Sequence, residues 1–406
     1  MLTCMVKGEG VYLYDESGKK YLDVVSSWWT NLHGHAHPHI VQAIAEQAAQ
    51  LEHVIFAGFT HPAAATLAER LIKHLPANQL KLFFSDNGST AVEVAMKMAI
   101  QYWSNKGRPR NRVIAFRHGY HGDTFGAMSA GERGLFTFPF RELLFDVVFI
   151  DAPEAGYEEE SSLQLQEAID QYPEGIACFI FEPLVQGAGG MLMHRAEALD
   201  RLMAVCRKHG ILTIADEVMT GFGRTGKFFA CDHLTEVPDM VCMSKGLTGG
   251  FLPMAITSCT DSVFNTFLSV KDDRHRKTFY HGHSYTANPL GCAAALASLD
   301  LMESEDTMKQ IQRISDRHLI FSREISLSEK LQAVRQCGTI LALELKTEEG
   351  TFYHNQLRDK IYHFFMDRGI LMRPLGNTCY LMPPYCISDI NLDYIYDAIK
   401  EFLNQL

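Results

Sequence analysis

The sequence predicts an α/β fold: a large domain with a mostly parallel, seven-stranded sheet flanked by helices, plus a smaller α+β domain. Three observations lead there. Seven short runs rich in Val, Ile and Phe recur between residues 81 and 258. They are nearly continuous in apolar character, as strands buried on both faces are. Amphipathic segments separate several of them, and strand alternating with helix implies a parallel sheet.

The predicted strands are Lys81–Ser85, Arg112–Phe116, Phe145–Asp151, Ile176–Glu182, Ile211–Asp216, Met240–Ser244 and Pro253–Ser258. Most end in a polar or glycine-bearing loop. Between the first two, Ala91–Trp103 repeats Val94, Met98 and Tyr102 on one helical face. Pro38 and Pro62 stand where the first turn of a helix tolerates proline. From about Cys292 the texture changes. Ala293–Met302 reads as a long helix that continues as a polar helical stretch through Glu324, and Ala333–Leu343, Leu357–Arg368 and Ile390–Leu403 follow. The expected organisation is an N-terminal segment, 1–50, packed with a small domain, 293–406, around a large domain, 51–292.

Composition narrows the function. The 406 residues are 47% apolar and 21% charged, so a folded core is expected rather than a disordered chain. A net charge of −11 supplies no global attraction for nucleic acid or anionic membranes. No apolar run approaches the length of a membrane span, and the N-terminus lacks a signal-peptide pattern. The ten cysteines form no Cys-x-x-Cys pair, and most lie in apolar runs. They are expected to be reduced, buried thiols of a cytoplasmic protein.

Four segments carry chemistry. Ser85–Thr90 follows a strand and precedes a helix, where Gly88, Ser89 and free helix N–H groups suit a phosphate. Alone it also reads as an ordinary turn with a Ser/Thr N-cap. Asp216 ends an apolar strand, where ligands bind in open sheets; alone it reads as a solvated acid. Lys245 ends another such run, and a desolvated amine there is a nucleophile for an aldehyde. The glycine-dense loop at Gly246, Gly249 and Gly250 weakens the reading of a surface lysine. Tyr120, in Arg117–Asp123, offers a ring to lay on a flat cofactor. A phosphate cradle, an aromatic lid, an acid and a lysine together name pyridoxal 5′-phosphate.

At these residues the chain resembles the class III aminotransferases, fold type I enzymes that use pyridoxal phosphate. The stretch from Asp216-Glu217-Val218 through Gly221-Phe222-Gly223-Arg224-Thr225-Gly226 to Ser244-Lys245 is similar to the family signature, and the resemblance runs over nearly the whole chain. A narrower resemblance is to the branch that aminates 8-amino-7-oxononanoate in biotin biosynthesis. Its residues are Ser26-Ser27-Trp28-Trp29, His33-Gly34, His37-Pro38, Glu182 through Gly190, His281-Gly282, Asn288-Pro289-Leu290, Arg373-Pro374 and Tyr380 through Tyr385. Many relatives with α-carboxylate substrates carry glutamate where this chain has Ala188.

The resemblance implies roles. Lys245 bonds the cofactor aldehyde and moves the proton, Asp216 pairs with the ring nitrogen, Gly88 and Ser89 hold the phosphate, and Tyr120 stacks on the ring. Ser284, where threonine is usual, reaches the phosphate of a neighbouring subunit, which implies a homodimer with shared active sites. Trp28, Tyr120, Asp123, Gly282, Arg373 and Tyr380 match substrate positions, with Arg373 as a fork for the oxononanoate carboxylate. S-adenosylmethionine is the implied donor, in a ping-pong transamination; lysine is the alternative donor. Family members usually also carry a His-Pro-Tyr-Thr stretch near the N-terminus whose tyrosine lines the site, and neither Tyr12 nor Tyr14 sits in one.

Competing readings are an ω-amino-acid–pyruvate aminotransferase, an aminomutase, and a binding protein without chemistry. The last is opposed by the presence of both Asp216 and Lys245. No metal is expected. Gly34 and Pro38 disfavour a regular strand through His33, His35, His37 and His39, and His35 and His39 are expected to be solvent or loop residues.

Overall fold

The computed structural model describes residues 3–134, 137–269, 274–348, 355 and 357–406. Strands Gln79–Ser85, Arg112–Phe116, Val147–Ile150, Ile176–Phe181, Leu212–Asp216, Met240–Met243 and Ala255–Thr260 form one seven-stranded sheet. All seven predicted strands are therefore present, differing only at their ends. The spatial order begins at Gln79–Ser85 and passes through Ala255–Thr260, Met240–Met243, Leu212–Asp216, Ile176–Phe181 and Arg112–Phe116 to Val147–Ile150. Pairing is parallel except at Ala255–Thr260, which runs antiparallel to both neighbours. Ile176–Phe181, Leu212–Asp216 and Met240–Met243 are buried at every residue, which is why they read as unbroken apolar runs.

Helices cover the faces. Gly88–Asn105 buries Val94, Met98 and Tyr102 against the sheet. Its N-cap is Asn87, not the serine or threonine expected from composition: the Asn87 side chain accepts from Thr90 N, and the Thr90 hydroxyl accepts from Asn87 N. Pro38–Gln50 and Pro62–Ile72 both start on their prolines.

One expectation fails. The long helix after Ala293 is two helices, Pro289–Met302 and Glu305–Ile325. Ser304 stops the first and caps the second by accepting from Thr307 N. The first residues, placed outside the regular pattern, form strands Met5–Glu9, Tyr12–Asp15 and Lys20–Asp23. Ile370–Leu371 pairs in parallel with the last of these, bringing the far end of the chain beside the beginning. Leu331–Cys337, Ile340–Leu345 and Thr378–Leu381 make a separate antiparallel sheet.

Most cysteines are buried, but Cys4 and Cys386 are exposed, and none of the ten forms a disulfide. Among the described residues no helix is long and apolar enough to cross a membrane. Among them, too, no three His, Cys, Asp or Glu side chains converge on a metal position. His35 is not a solvent residue: its Nε2 lies 2.9 Å from the buried Asp23 carboxylate. His39 is exposed and meets Asp300 at 2.8 Å.

Candidate active site

A cavity of about 470 Å³ opens at the carboxyl ends of the parallel strands. Gly88, Ser89, Tyr120, Asp216 and Lys245 all line it. Five separate sequence predictions thus meet at one place.

Asp216 is the last residue of the central strand and is buried, not solvated. Its Oδ2 accepts from His121 Nδ1 at 2.7 Å and its Oδ1 from Val218 N at 3.1 Å. Burial alone would lower the His121 pKa, but the hydrogen bond and charge of Asp216 outweigh it and hold the imidazole above its ordinary value. The ring's Nε2 is buried without a partner. Behind it lies Glu182, whose Oε2 accepts from Tyr120 N at 3.0 Å and Oε1 from Gly187 N at 2.9 Å. Burial pushes this carboxyl up to about 7. Glu182 ties the Tyr120 loop to the glycine run 187–190. Neither His121 nor Glu182 was assigned a role from sequence, although both sit inside the quoted motifs; two donors on one buried carboxylate is a three-dimensional fact.

Lys245 follows Met240–Met243 with φ of +42°, a left-handed conformation unusual outside glycine. Such backbone gathers at functional sites. The residue is partly buried. Burial pushes its amine below the ordinary lysine value, with Asp216 and Glu182 opposing. Its Nζ lies 4.8 Å from the centre of the Trp29 ring.

The residues fit pyridoxal phosphate. The Gly88–Asn105 helix begins at the cavity, and its first N–H groups have no intrahelical acceptor. A Cβ at Gly88 would lie 2.7 Å from Val218 Cγ1, so only glycine permits this close packing. Gly122, at φ +130°, lies against Ser89, whose Oγ accepts from Asp123 N. The Tyr120 hydroxyl donates to Asp123 Oδ2 at 3.0 Å.

The remaining predicted residues fall into two groups. Tyr380 is buried, and its hydroxyl accepts from Trp29 Nε1 at 3.0 Å. Arg373 stacks at 4.0 Å on the ring of Trp28, which is 48% exposed. Of the tandem tryptophans, Trp29 rather than Trp28 lines the cavity. Ser26 to Trp29 turn left-handed, with φ of 49°, 46°, 71° and 74°, and each such residue costs roughly 1–2 kcal/mol. Surrounding bonds hold the turn. Ser26 Oγ donates to Met382 O, Ser27 Oγ to Asp23, and Arg224 to Trp29 O, Asn31 O and Pro383 O. Arg224 is fully buried, and its desolvation lowers its pKa. Gly282 and Ser284, by contrast, are exposed and do not line this chain's own cavity.

With the cavity, the strand-end acid and the lysine in place, the class is defined. The class III aminotransferase family model matches residues 1–403, and the chain belongs to that family. It is 50% identical over 99% of its length to the adenosylmethionine-8-amino-7-oxononanoate aminotransferase of Synechococcus elongatus, covering 95% of that protein. The enzyme of the same name from Geobacter sulfurreducens is 39% identical, with 98% and 91% covered. The crystal structure of the Methanocaldococcus jannaschii enzyme superposes with a TM-score of 0.94 at 37% identity, covering all of this chain and 93% of that one. An amine transaminase from an uncultivated Pseudomonas species, in a PLP-bound form, also superposes at 0.94, with 32% identity and 100% and 95% covered.

Proposed function

We propose that this chain is a pyridoxal-phosphate-dependent transaminase of biotin biosynthesis, converting 8-amino-7-oxononanoate to 7,8-diaminononanoate with S-adenosylmethionine as donor. The observation that carries it is the meeting of Lys245, Asp216 and the Gly88–Ser89 helix start in one cavity. Fold does not separate the candidate substrates, since amine transaminases superpose equally well. The 50% identity over nearly the full length favours the oxononanoate reading over the ω-amine one.

The bound cofactor supplies an aldehyde to take up the amino group and a ring to withdraw electrons. The chain's residues do the rest. Gly88 and Ser89 hold the phosphate through backbone N–H and hydroxyl groups. Asp216, aligned by His121 and Val218, would accept from the ring nitrogen and favour its protonation. Tyr120, fixed by Asp123, would lie against the ring. Lys245, whose amine is desolvated by burial, would be the nucleophile for the aldehyde and the group that carries the substrate proton. Arg373, steadied on Trp28, grips the substrate carboxylate, and Tyr380 shapes the pocket through Trp29.

The same reading includes a homodimer. The exposure of Gly282 and Ser284, outside their own chain's cavity, supports their serving a neighbouring subunit. It also includes a cytoplasmic location, checked by cell fractionation, and a division into 51–292 and a small domain of 1–50 with 293–406. The Lys20–Asp23 to Ile370–Leu371 pairing supports that division. An absorbance titration tests the chemistry. S-adenosylmethionine is expected to discharge the visible band of the loaded enzyme, and 8-amino-7-oxononanoate to restore it. A band that ignores S-adenosylmethionine but responds to lysine moves the donor. One that responds only to alanine and pyruvate selects the ω-amine reading.

A further inference from the structure

Trp29 is held from every side. Its backbone N donates to Val25 O at 2.9 Å, its carbonyl accepts from Arg224, and its indole N–H donates to the Tyr380 hydroxyl. The two rings meet at 66° with centres 6.2 Å apart, an edge-on packing that fixes the indole plane. The ring is only 4% exposed, yet it faces the cavity. What lies over its face is the Lys245 Nζ, 4.8 Å from the ring centre. That is within the reach of a cation–π contact, which is stronger when desolvated.

We propose that Trp29 is a positioning residue for Lys245: its ring face seats the amine whenever the amine is not bonded to the cofactor, and favours the protonated form. The proposal rests on the reading of Lys245 as the reactive lysine. The other charges around the amine are Asp216 and Glu182, with His121 against Asp216. On the far side of the Trp29 segment stand Arg224 at its carbonyl and Arg373 over Trp28. The two carboxylates attract the ammonium in either variant below, so a change at Trp29 isolates the ring. A lysine displaced when the donor amine takes its place would thereby be kept within the cavity, near the carbon whose proton it would carry, instead of swinging into open solvent.

The test uses the full chain without cofactor, where substrate plays no part. Lysines are reductively methylated with ¹³C-formaldehyde and titrated by NMR; the Lys245 signal is the one missing in Lys245→Ala. In Trp29→Leu the amine midpoint is expected to fall by about 0.5–1 pH unit, because the π face is gone while burial is kept. Trp29→Phe keeps a π face and is expected to fall less. Tetrafluorotryptophan, placed at position 29 in a Trp28→Phe/Trp103→Phe background, keeps the shape and weakens the ring's negative face. It must lower the midpoint too, and it covers the case in which Trp29→Leu fails to fold. An unmoved or raised midpoint in the leucine or fluorinated protein overturns the proposal. So does an equal fall in Trp28→Phe alone, which would trace the effect to the turn and not to the ring. In the loaded enzyme, Trp29→Phe is expected to lower kcat several-fold more than it changes KM. Loss of S-adenosylmethionine activity in the wild-type protein would sink the substrate reading and leave these midpoints untouched.

Discussion

The two walls of the cavity are built differently. One wall is the strand-end edge: Asp216, Lys245, Gly88 and Ser89 each sit within a few residues of a strand terminus in the same sheet. The other is assembled from distant parts of the chain. Trp29 and Tyr380 are bonded across 351 residues, and a fully buried arginine ties Trp29 and Asn31 to Pro383. The first wall is relaxed, apart from the left-handed Lys245; the second holds four successive residues in left-handed backbone. Common chemistry belongs on geometry that any sheet of this kind repeats. Choice of substrate belongs on geometry that each chain assembles for itself.

Breaking each wall should therefore look different. Lys245→Ala removes the proposed nucleophile and proton carrier together, and turnover is expected to fall by at least about 10⁴-fold. Stability should be nearly untouched, as a thermal melt would show. Arg224→Met acts on the opposite wall and gives the reverse pattern. It leaves buried carbonyls without donors, and stability should drop by about 3 kcal/mol, read from the denaturant midpoint. If the melt is unchanged, the assembled wall does not depend on this arginine.

Smaller changes sharpen the contrast. Arg373→Lys keeps the charge but loses the planar stack on Trp28. KM for the oxo acid is expected to rise about tenfold with kcat little altered; equal loss in both would deny Arg373 a binding role. Glu182 gives the smallest effect and one that depends on pH. Its carboxyl is raised from 4.5 to about 7 by burial, so between those values the folded state binds more protons than the unfolded one. Its contribution to stability is thus greatest in acid and declines as pH rises toward 7. Glu217, also pushed up to about 7, adds the same sign. Glu182→Gln is expected to flatten the decline between pH 5 and 7 and to cost about 1 kcal/mol, since an amide N–H then faces Tyr120 N or Gly187 N. Urea unfolding at several pH values checks both.

The legibility of the molecule follows the same division. The inner strands were readable because burial on both faces leaves an uninterrupted apolar run; the edge strands Gln79–Ser85 and Val147–Ile150 are only partly buried but still rich in Val, Ile, Leu and Phe. The motifs at their ends were readable because strand, loop and reactive residue are adjacent in sequence. The N-terminal strands were not: Met5–Glu9 is largely exposed and lacks an apolar run. The break at Ser304 was hidden because one capping serine leaves helical periodicity on both sides. That Trp29 also lines the cavity was not readable, because adjacent identical residues differ only through the backbone turn that points one inward.

By itself, the sequence determined the sheet, the strand-end acid and lysine, the glycine at the helix start and the chemistry they imply. All of these follow from interactions within a few residues. Only the tertiary structure decided which tryptophan meets the lysine, that His121 and Glu182 stand behind Asp216, and that a buried arginine locks the opposite wall. Those depend on hydrogen bonds and ring contacts between segments far apart in the chain, whose directions no local pattern encodes.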